Sequence, residues 1–249
     1  MPASAESLKA EESRIRAAYA RRQNGNLYSR FNPAYLFMAQ EREKRFLKLL
    51  SQYGCEDLKT KTILEIGCGT GDFLRDLVKW GANPENITGV DILSDRLSEA
   101  MRLCPPGMCL VQGNAAKLDL ANDYFDVVVQ STVFTSVLDP TIKKHIASEM
   151  RRVDKPSGLI LWYDFHMSNP SNPDVRGVSS REIRTLFLDC DIRLQRITLA
   201  PPLTRLLAPY SWLLCHLLEK IPPFCTHYIG VIRKKSTSPA EPIRAESFA

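Results

Sequence analysis

Short apolar runs alternate with segments of helical periodicity through the middle of the chain. The runs are rich in Val, Ile and Leu and have the length of β-strands. They are 62–67, 87–91, 108–113, 125–130, 158–164, 192–200 and 227–234. Between them, apolar residues recur at helical spacing in 73–81, 95–104 and 142–153. This alternation predicts an α/β fold, in which helices flank a parallel sheet and ligands bind at the carboxyl ends of the strands.

The rest of the chain divides by composition. Residues 1–26 are polar and are expected to form an N-terminal extension, and 236–249 has the composition of a disordered tail. We expect 27–235 to be one domain, because 249 residues with 44% hydrophobic content suffice for one core. Within it, the aromatic-rich segment 27–50 is predicted to be a lid, with a helix entered through Asn32-Pro33, and 200–224 an apolar insertion.

Charge and cysteine usage narrow the range of functions. The net charge of +5 comes without a long basic stripe, so nucleic-acid binding is not expected. The seven cysteines form no CxxC pair and no zinc-like spacing, which predicts reduced thiols, no metal site and a cytoplasmic protein. The N-terminus lacks the apolar core of a secretion signal. The longest charge-free apolar stretch is too short for the roughly 20 residues of a membrane span, although it could lie on a membrane surface.

The stretch "TILEIGCGTGDFL" carries the clearest chemical signal. Its glycines fall in a GxGxG pattern, with Asp72 where a dinucleotide fingerprint needs glycine and no Lys-Ser/Thr of a phosphate-binding loop. Asp91 ends the next strand, 20 residues beyond Gly71, where a carboxylate can accept from both hydroxyls of a ribose. An adenosine site is favoured. The alternative is purely structural, with the glycines making a turn and Asp91 capping a helix.

The motifs "EIGCGTGD", "GVD" and "GNA", in that order, resemble the class I S-adenosylmethionine-dependent methyltransferases, in the small-molecule branch that includes the ubiquinone/menaquinone-biosynthesis type. The similarity covers roughly 60–165. It implies a Rossmann-like, seven-stranded, mostly parallel sheet with an antiparallel last strand, and S-adenosylmethionine as cofactor. The implied cofactor-binding residues are Glu65, Gly67, Cys68, Gly69 and Gly71 for the methionine moiety, Asp91 for the ribose, Asn114 and Ala115 for the adenine, and Ile92 and Gln130 beside them. Asn114 departs from the family, which more often has Asp there.

Catalytic candidates follow the fourth and fifth predicted strands. The segment after the fourth lacks the [DNS]PP[YFW] motif of nucleic-acid amino-methylating enzymes. After the fifth, His166 is predicted as a general base for a hydroxyl acceptor, with Asp164 orienting it or acting as the base itself. The alternatives are a structural loop histidine and an aspartate that caps a loop.

Three further groups of residues are candidates for enclosing a site. Tyr28, Phe31 and Tyr35 are expected either to shield the sulfonium or to pack in the core. The segment 200–224 is expected to wall an apolar acceptor pocket, meet a membrane surface, form a dimer contact or pack on the sheet. Arg176 and Arg181 are expected either to bind an anionic acceptor or to be solvated.

The sequence thus predicts an enzyme that transfers a methyl group from S-adenosylmethionine to a small molecule. An oxygen atom of an apolar or lipid-linked hydroxylated compound is the first choice of acceptor, and a carbon atom of a quinone-like ring is the second. The location is expected to be cytoplasmic, with peripheral contact to a membrane. A non-catalytic cofactor-binding scaffold is the alternative of another class, and Asp72 opposes a nicotinamide oxidoreductase.

Overall fold

The apolar runs form one seven-stranded sheet in the computed structural model, which describes residues 5–21 and 25–235. The strands are β1 Ile63–Ile66, β2 Ile87–Asp91, β3 Cys109–Gln112, β4 Phe125–Ser131, β5 Asp154–Phe165, β6 Cys190–Leu199 and β7 Cys225–Lys234. The helices are α1 Ala5–Ala20, α2 Pro33–Gln52, α3 Asp72–Lys79, α4 Ser94–Leu103, α5 Pro140–Val153, α6 Ser180–Leu186, α7 Pro201–Leu207 and α8 Trp212–Glu219.

The strand order is β3-β2-β1-β4-β5-β7-β6. Strands β1 to β5 are parallel to one another, whereas β7 lies antiparallel between β5 and β6. The direction of the chain across the sheet reverses between β1 and β4, which is where ligands bind in open α/β sheets. The fold class predicted from the sequence is confirmed.

Alternate residues of the central strands face two separate cores. Val127, Leu159 and Leu161 pack with Phe46 of α2 and Leu74 of α3 on one side of the sheet. On the other side, Val128, Ile160 and the fully buried Trp162 pack with apolar side chains of α5 and α6. The period-2 alternation of buried side chains is what fixes the register of these strands.

The helix start predicted at Asn32-Pro33 is confirmed. Asn32 caps α2 by accepting the backbone N–H groups of Ala34 and Tyr35, and Pro33 occupies the first helical position. Ser179 caps α6, because its hydroxyl accepts the N–H of Glu182. Asp139 caps α5 in the same way.

The polar extension predicted for 1–26 contains α1, and the predicted tail 236–249 lies outside the described residues. The predicted insertion 200–224 contains α7 and α8, which follow β6 directly and precede β7. Among the described residues, no helix has both the length and the apolar character that crossing a bilayer requires.

Candidate functional site

A cavity opens at the carboxyl ends of β1, β2 and β4, where the glycine loop links β1 to α3. The N–H of Gly67 donates to the carbonyl of Val90 at 2.7 Å, which draws the loop against β2. Gly67 has a φ of +66°, and a Cβ at this position would come within 2.5 Å of Val133 Cγ2. Only glycine fits both the backbone angle and the close approach, so the loop presents bare backbone to the cavity.

Asp91 joins the glycine loop to the loop that follows β2. One carboxylate oxygen accepts the N–H of Gly69 at 2.7 Å, and the other accepts the N–H of Leu93 at 2.8 Å. The side chain is buried and lines the cavity. Each carboxylate oxygen has a second lone pair, so Asp91 can hold the loop and still accept hydrogen bonds from a diol.

Glu65 is a second buried carboxylate on the cavity wall. Its Oε2 has no hydrogen-bond partner among the described residues. Burial raises the pKa of Glu65 well above its usual value, and the guanidinium of Arg42, also on the wall, opposes that rise. A buried acceptor without a donor carries a free-energy cost that a cationic ligand would remove. Glu65 is therefore suited to an ammonium group.

The loops that follow β2 and β3 form another part of the cavity wall. Ile92 and the run Gly113, Asn114 and Ala115 line it. The side-chain oxygen of Asn114 accepts the N–H of Ala116 at 2.9 Å. This turn fixes the amide, whose NH₂ group remains a donor for a ring nitrogen of a ligand.

Of the remaining predicted cofactor-binding residues, one lines the cavity and three lie outside its wall. Cys68 lines the cavity, and burial raises the pKa of its thiol, so it is a neutral wall group. Gly69 touches Asp91 through its N–H, and Gly71 is the left-handed residue from which α3 starts, but neither is on the wall. Gln130 is fully buried behind the wall, where it accepts the N–H of Val133 at 3.3 Å.

The predicted catalytic pair is separate from the cavity wall. Asp164 is fully buried and accepts the N–H and the hydroxyl of Thr135, at 3.2 and 2.7 Å, and the N–H of Phe165. Its pKa is raised to about 6 by burial. The ring of His166 donates to the carbonyl of Cys225 at 2.8 Å, and burial lowers its pKa. Neither side chain lines the cavity, and the catalytic role of the pair stays a prediction.

Only some of the residues that were predicted to enclose the site lie at the cavity. Tyr35 lines the cavity, and Tyr28 packs edge-on against it at 5.8 Å between ring centroids. Phe31 is 98% exposed, so it neither shields the cavity nor packs in the core. Arg176 lies 3.9 Å from Glu182, and neither Arg176 nor Arg181 is on the cavity wall.

Helix α1 supplies part of the wall that sequence reasoning missed. The residues it contributes are Leu8, Glu11, Glu12, Ile15 and Tyr19. Polar contacts hold the helix there: Ser7 donates to Asp139 at 2.9 Å, and the N–H of Leu138 donates to Glu11 at 2.6 Å. The signal was present in the sequence, since the spacing from Leu8 to Ile15 to Tyr19 places these residues on one helical face.

Part of the cavity lining is apolar. It comes from α1, from the loop after β4 and from α5, and its side chains are Leu8, Ile15, Val133, Val137, Ile142 and Ile146. Glu65, Asp91 and Asn114 belong to the β1–β3 part of the lining, and Glu11 and Glu12 of α1 also line the cavity. The cavity therefore combines a site for a charged, hydroxylated ligand with an apolar site next to it.

Comparisons with known proteins agree with this geometry. Residues 63–158 match the family model described as a methyltransferase domain. The ubiquinone/menaquinone biosynthesis C-methyltransferase of Burkholderia vietnamiensis is 34% identical over 110 residues, which are 41% of this chain and 42% of that protein. The phthiotriol/phenolphthiotriol dimycocerosates methyltransferase 1 of Mycobacterium ulcerans is 30% identical over 140 residues, 51% of this chain and 49% of that protein. The chain thus matches about half the length, or less, of these curated relatives.

Solved structures support the same fold. The S-adenosylmethionine-dependent methyltransferase of Archaeoglobus fulgidus superposes with a TM-score of 0.54 at 21% identity, over 81% of this chain and 100% of that one. One from Mesorhizobium loti gives a TM-score of 0.54 at 14% identity, over 72% and 93%. Residues 63–158 are therefore similar to methyltransferase domains, and the chain shares its fold with S-adenosylmethionine-dependent methyltransferases.

Proposed function

We propose that the chain transfers a methyl group from S-adenosylmethionine to a small apolar molecule, at a hydroxyl oxygen. The observation that carries this proposal is that one cavity is lined both by Glu65, Asp91 and Asn114 and by six apolar side chains of α1, the loop after β4 and α5. The three polar residues offer the groups that the cofactor needs, and the apolar side chains offer a surface for an acceptor in the same cavity. A methyl acceptor bound there would lie next to the cofactor.

The chain's polar groups fit the cofactor on physical grounds. Glu65, whose Oε2 lacks a donor, would accept the ammonium group of the methionine moiety. Asp91 would accept the ribose hydroxyls, and the amide of Asn114 would donate to the adenine. When bound, the cofactor supplies an activated methyl group on a sulfonium.

The apolar side would supply orientation and exclusion of water. Leu8 and Ile15 of α1 pack against the buried cluster that contains Val137 and Ile146, and all four residues line the cavity. These side chains offer an anionic acceptor no hydrogen bonds, whereas they stabilise an apolar one by burial, at about 25 cal/mol per Å². Methyl transfer needs mainly this alignment, because the sulfonium already activates the methyl group. The bond between sulfur and methyl would break as the bond to the acceptor oxygen forms, S-adenosylhomocysteine would leave, and the hydroxyl proton would pass to water.

A carbon acceptor is the second candidate. The relative from Burkholderia vietnamiensis is named as a C-methyltransferase, and the relative from Mycobacterium ulcerans is named for phthiotriol and phenolphthiotriol dimycocerosates. Both names support an apolar acceptor, and the first favours a ring carbon. The position of the transferred methyl group in the product distinguishes the two.

The test is transfer of labelled methyl from S-adenosylmethionine to matched pairs of compounds, each pair consisting of an apolar phenol and the same phenol carrying a carboxylate. We expect methylation of the apolar members. Ile15→Glu, which places a charge on the apolar wall, should lower kcat/KM roughly tenfold or more. Ala17→Glu is the control, since Ala17 is exposed on the same helix and absent from the cavity wall.

Two results would contradict the proposal. Preference for the carboxylated members would exclude an apolar acceptor site. Binding of S-adenosylmethionine without methyl transfer to any compound, including carbon acceptors of the quinone type, would favour the non-catalytic scaffold instead.

A further inference from the structure

The segment 200–224 carries an unusual concentration of exposed apolar side chains. Seven of the seventeen large hydrophobic residues that are exposed in the described part of the chain lie in it. We call them the apolar face: Leu206, Tyr210, Leu213, Leu214, Leu217, Ile221 and Phe224. Single exposed apolar residues are ordinary, but a group of this size marks an interaction surface.

The apolar face is separate from the residues that dock this segment on the domain. Cys215 and Ala208 are buried against Ala34 and Phe37 of α2, and Trp212 packs edge-on to Phe37 at 5.7 Å between ring centroids. Leu203, Leu207 and Leu218 join the same cluster. The segment therefore has an inner set of side chains that completes a core and a different outer set that remains in water.

The outer set has helical spacing. On α8, Leu213 and Leu217 are one turn apart and are 70% and 51% exposed. Ile221 follows after a further four residues, and Leu206 and Tyr210 repeat the spacing on α7 and the turn after it. Phe31, 98% exposed, lines a shallow groove with Arg205 and Pro209, so its ring extends this surface beyond the segment.

The charges around the apolar face are basic. Arg205 and Lys220 are both exposed. The single acidic residue of 200–224, all of which the structure describes, is Glu219, and it is buried with its carboxylate accepting the N–H of Thr198 at 2.8 Å. No exposed carboxylate of the segment would oppose an anionic surface. Leucines and aromatic rings bordered by Lys and Arg are the composition that interfacial helices use.

We propose that the apolar face docks the chain on the surface of an anionic membrane. The leucines of α7 and α8 enter the boundary between headgroups and acyl chains, and Arg205 and Lys220 reach the lipid phosphates with their flexible stems. Helix α2 connects this surface to the cavity, because Phe37 contacts Trp212 and Tyr35, on the same helix, lines the cavity wall. The inference goes beyond the proposed methyl transfer and does not depend on it.

The test is flotation of the full chain with vesicles of phosphatidylcholine alone or with added phosphatidylglycerol. We expect binding that is stronger with phosphatidylglycerol and weaker at high salt. Leu213→Glu should lower the partition coefficient roughly tenfold or more. Lys220→Ala should lower it about fivefold on the anionic vesicles only.

Leu188→Glu is the matched control, because Leu188 is also 70% exposed and lies outside the apolar face. Both leucine variants should retain the thermal midpoint of the unchanged chain, since neither side chain is buried. Equal binding by the two variants, or no binding by the unchanged chain, would overturn the proposal. A dimer in solution that Leu213→Glu dissociates would overturn it in favour of a second copy of the chain.

Discussion

Buried carboxylates stand at the carboxyl ends of both halves of the parallel sheet, yet the two halves use them differently. At β1 and β2, Glu65 has an oxygen without a partner and Asp91 lies on the cavity wall. At β5, Asp164 is equally buried, but Thr135 and Phe165 donate to its oxygens. A strand-end position therefore does not make a carboxylate a ligand-binding group. A buried carboxylate is a candidate for binding a ligand when it faces a cavity and can still accept a hydrogen bond.

The largest expected effect is on the free energy of unfolding, and it comes from Asp164, whose oxygens already accept hydrogen bonds from neighbouring residues. Asp164→Ala leaves the N–H and hydroxyl of Thr135 and the N–H of Phe165 without their acceptor. We expect the free energy of unfolding to fall by about 3 kcal/mol or more, measured by urea denaturation. Asp164→Asn, which keeps one carbonyl oxygen, should lose less. Wild-type stability of the alanine variant would remove the contrast between the two halves.

In the half of the sheet that contains β1 and β2, Asp91→Ala should lower the affinity for S-adenosylmethionine. Loss of a charge-assisted contact to the ribose is expected to cost about 1.5–3 kcal/mol, or roughly 10- to 150-fold in Kd for S-adenosylmethionine. Equilibrium dialysis measures this directly. Asp95→Ala is the control, because Asp95 is exposed on α4 nearby. Equal affinity of the two variants would show that Asp91 serves only to hold Gly69 and Leu93.

Asp154, at the amino end of β5, is a further buried carboxylate, and it lies at the opposite edge of the sheet from Glu65, Asp91 and Asp164. Its carboxylate is buried without a hydrogen-bond partner among the described residues, and burial raises its pKa to about 8. The unfolded chain is ionised there above pH 4 or so, whereas the folded chain holds the proton until about pH 8. Stability gained from that proton is therefore present at low pH and is lost as the pH rises through about 8.

We expect the free energy of unfolding to fall by roughly 1 kcal/mol between pH 7 and pH 9 through this group. Denaturation at a series of pH values measures the slope. Asp154→Asn, which cannot ionise, should flatten it. An unchanged slope in the variant would assign the pH dependence to other groups.

The smallest expected effect is that of His166→Ala. The ring donates to a backbone carbonyl outside the cavity, so kcat for methyl transfer should change by less than about threefold, against the roughly 100-fold or more of a lost general base. The ratio of kcat for the unchanged chain to kcat for the variant distinguishes these two outcomes. A loss of the larger size, with an altered pH profile, would return His166 to the reaction.

The sequence predicted that Gly67, Asp91 and Asn114 lie together, and all three line one cavity. Gly67 follows β1, Asp91 is the last residue of β2 and Asn114 lies just after β3, and the carboxyl ends of such parallel strands meet at one edge of the sheet. Local spacing therefore predicts proximity. The seven-stranded, mostly parallel sheet with its antiparallel last strand, which the motif resemblance implied, is also observed.

The sequence was not sufficient where a distant element decides a side chain's role. His166 meets the carbonyl of Cys225, 59 residues away, and Asp164 meets Thr135, 29 residues away. The periodicity of α1 is visible in the sequence, but nothing local indicates that its face covers the cavity. The outer side of 200–224 likewise becomes evident only once Cys215 and Trp212 are seen to point inward.

The most direct test of the central claim is calorimetric titration of the unchanged chain with S-adenosylmethionine, S-adenosylhomocysteine and NAD. We expect one S-adenosylmethionine per chain, competition by S-adenosylhomocysteine for the same site, and no heat of binding with NAD. Binding of NAD in place of S-adenosylmethionine, or no binding of either sulfur compound, would contradict it.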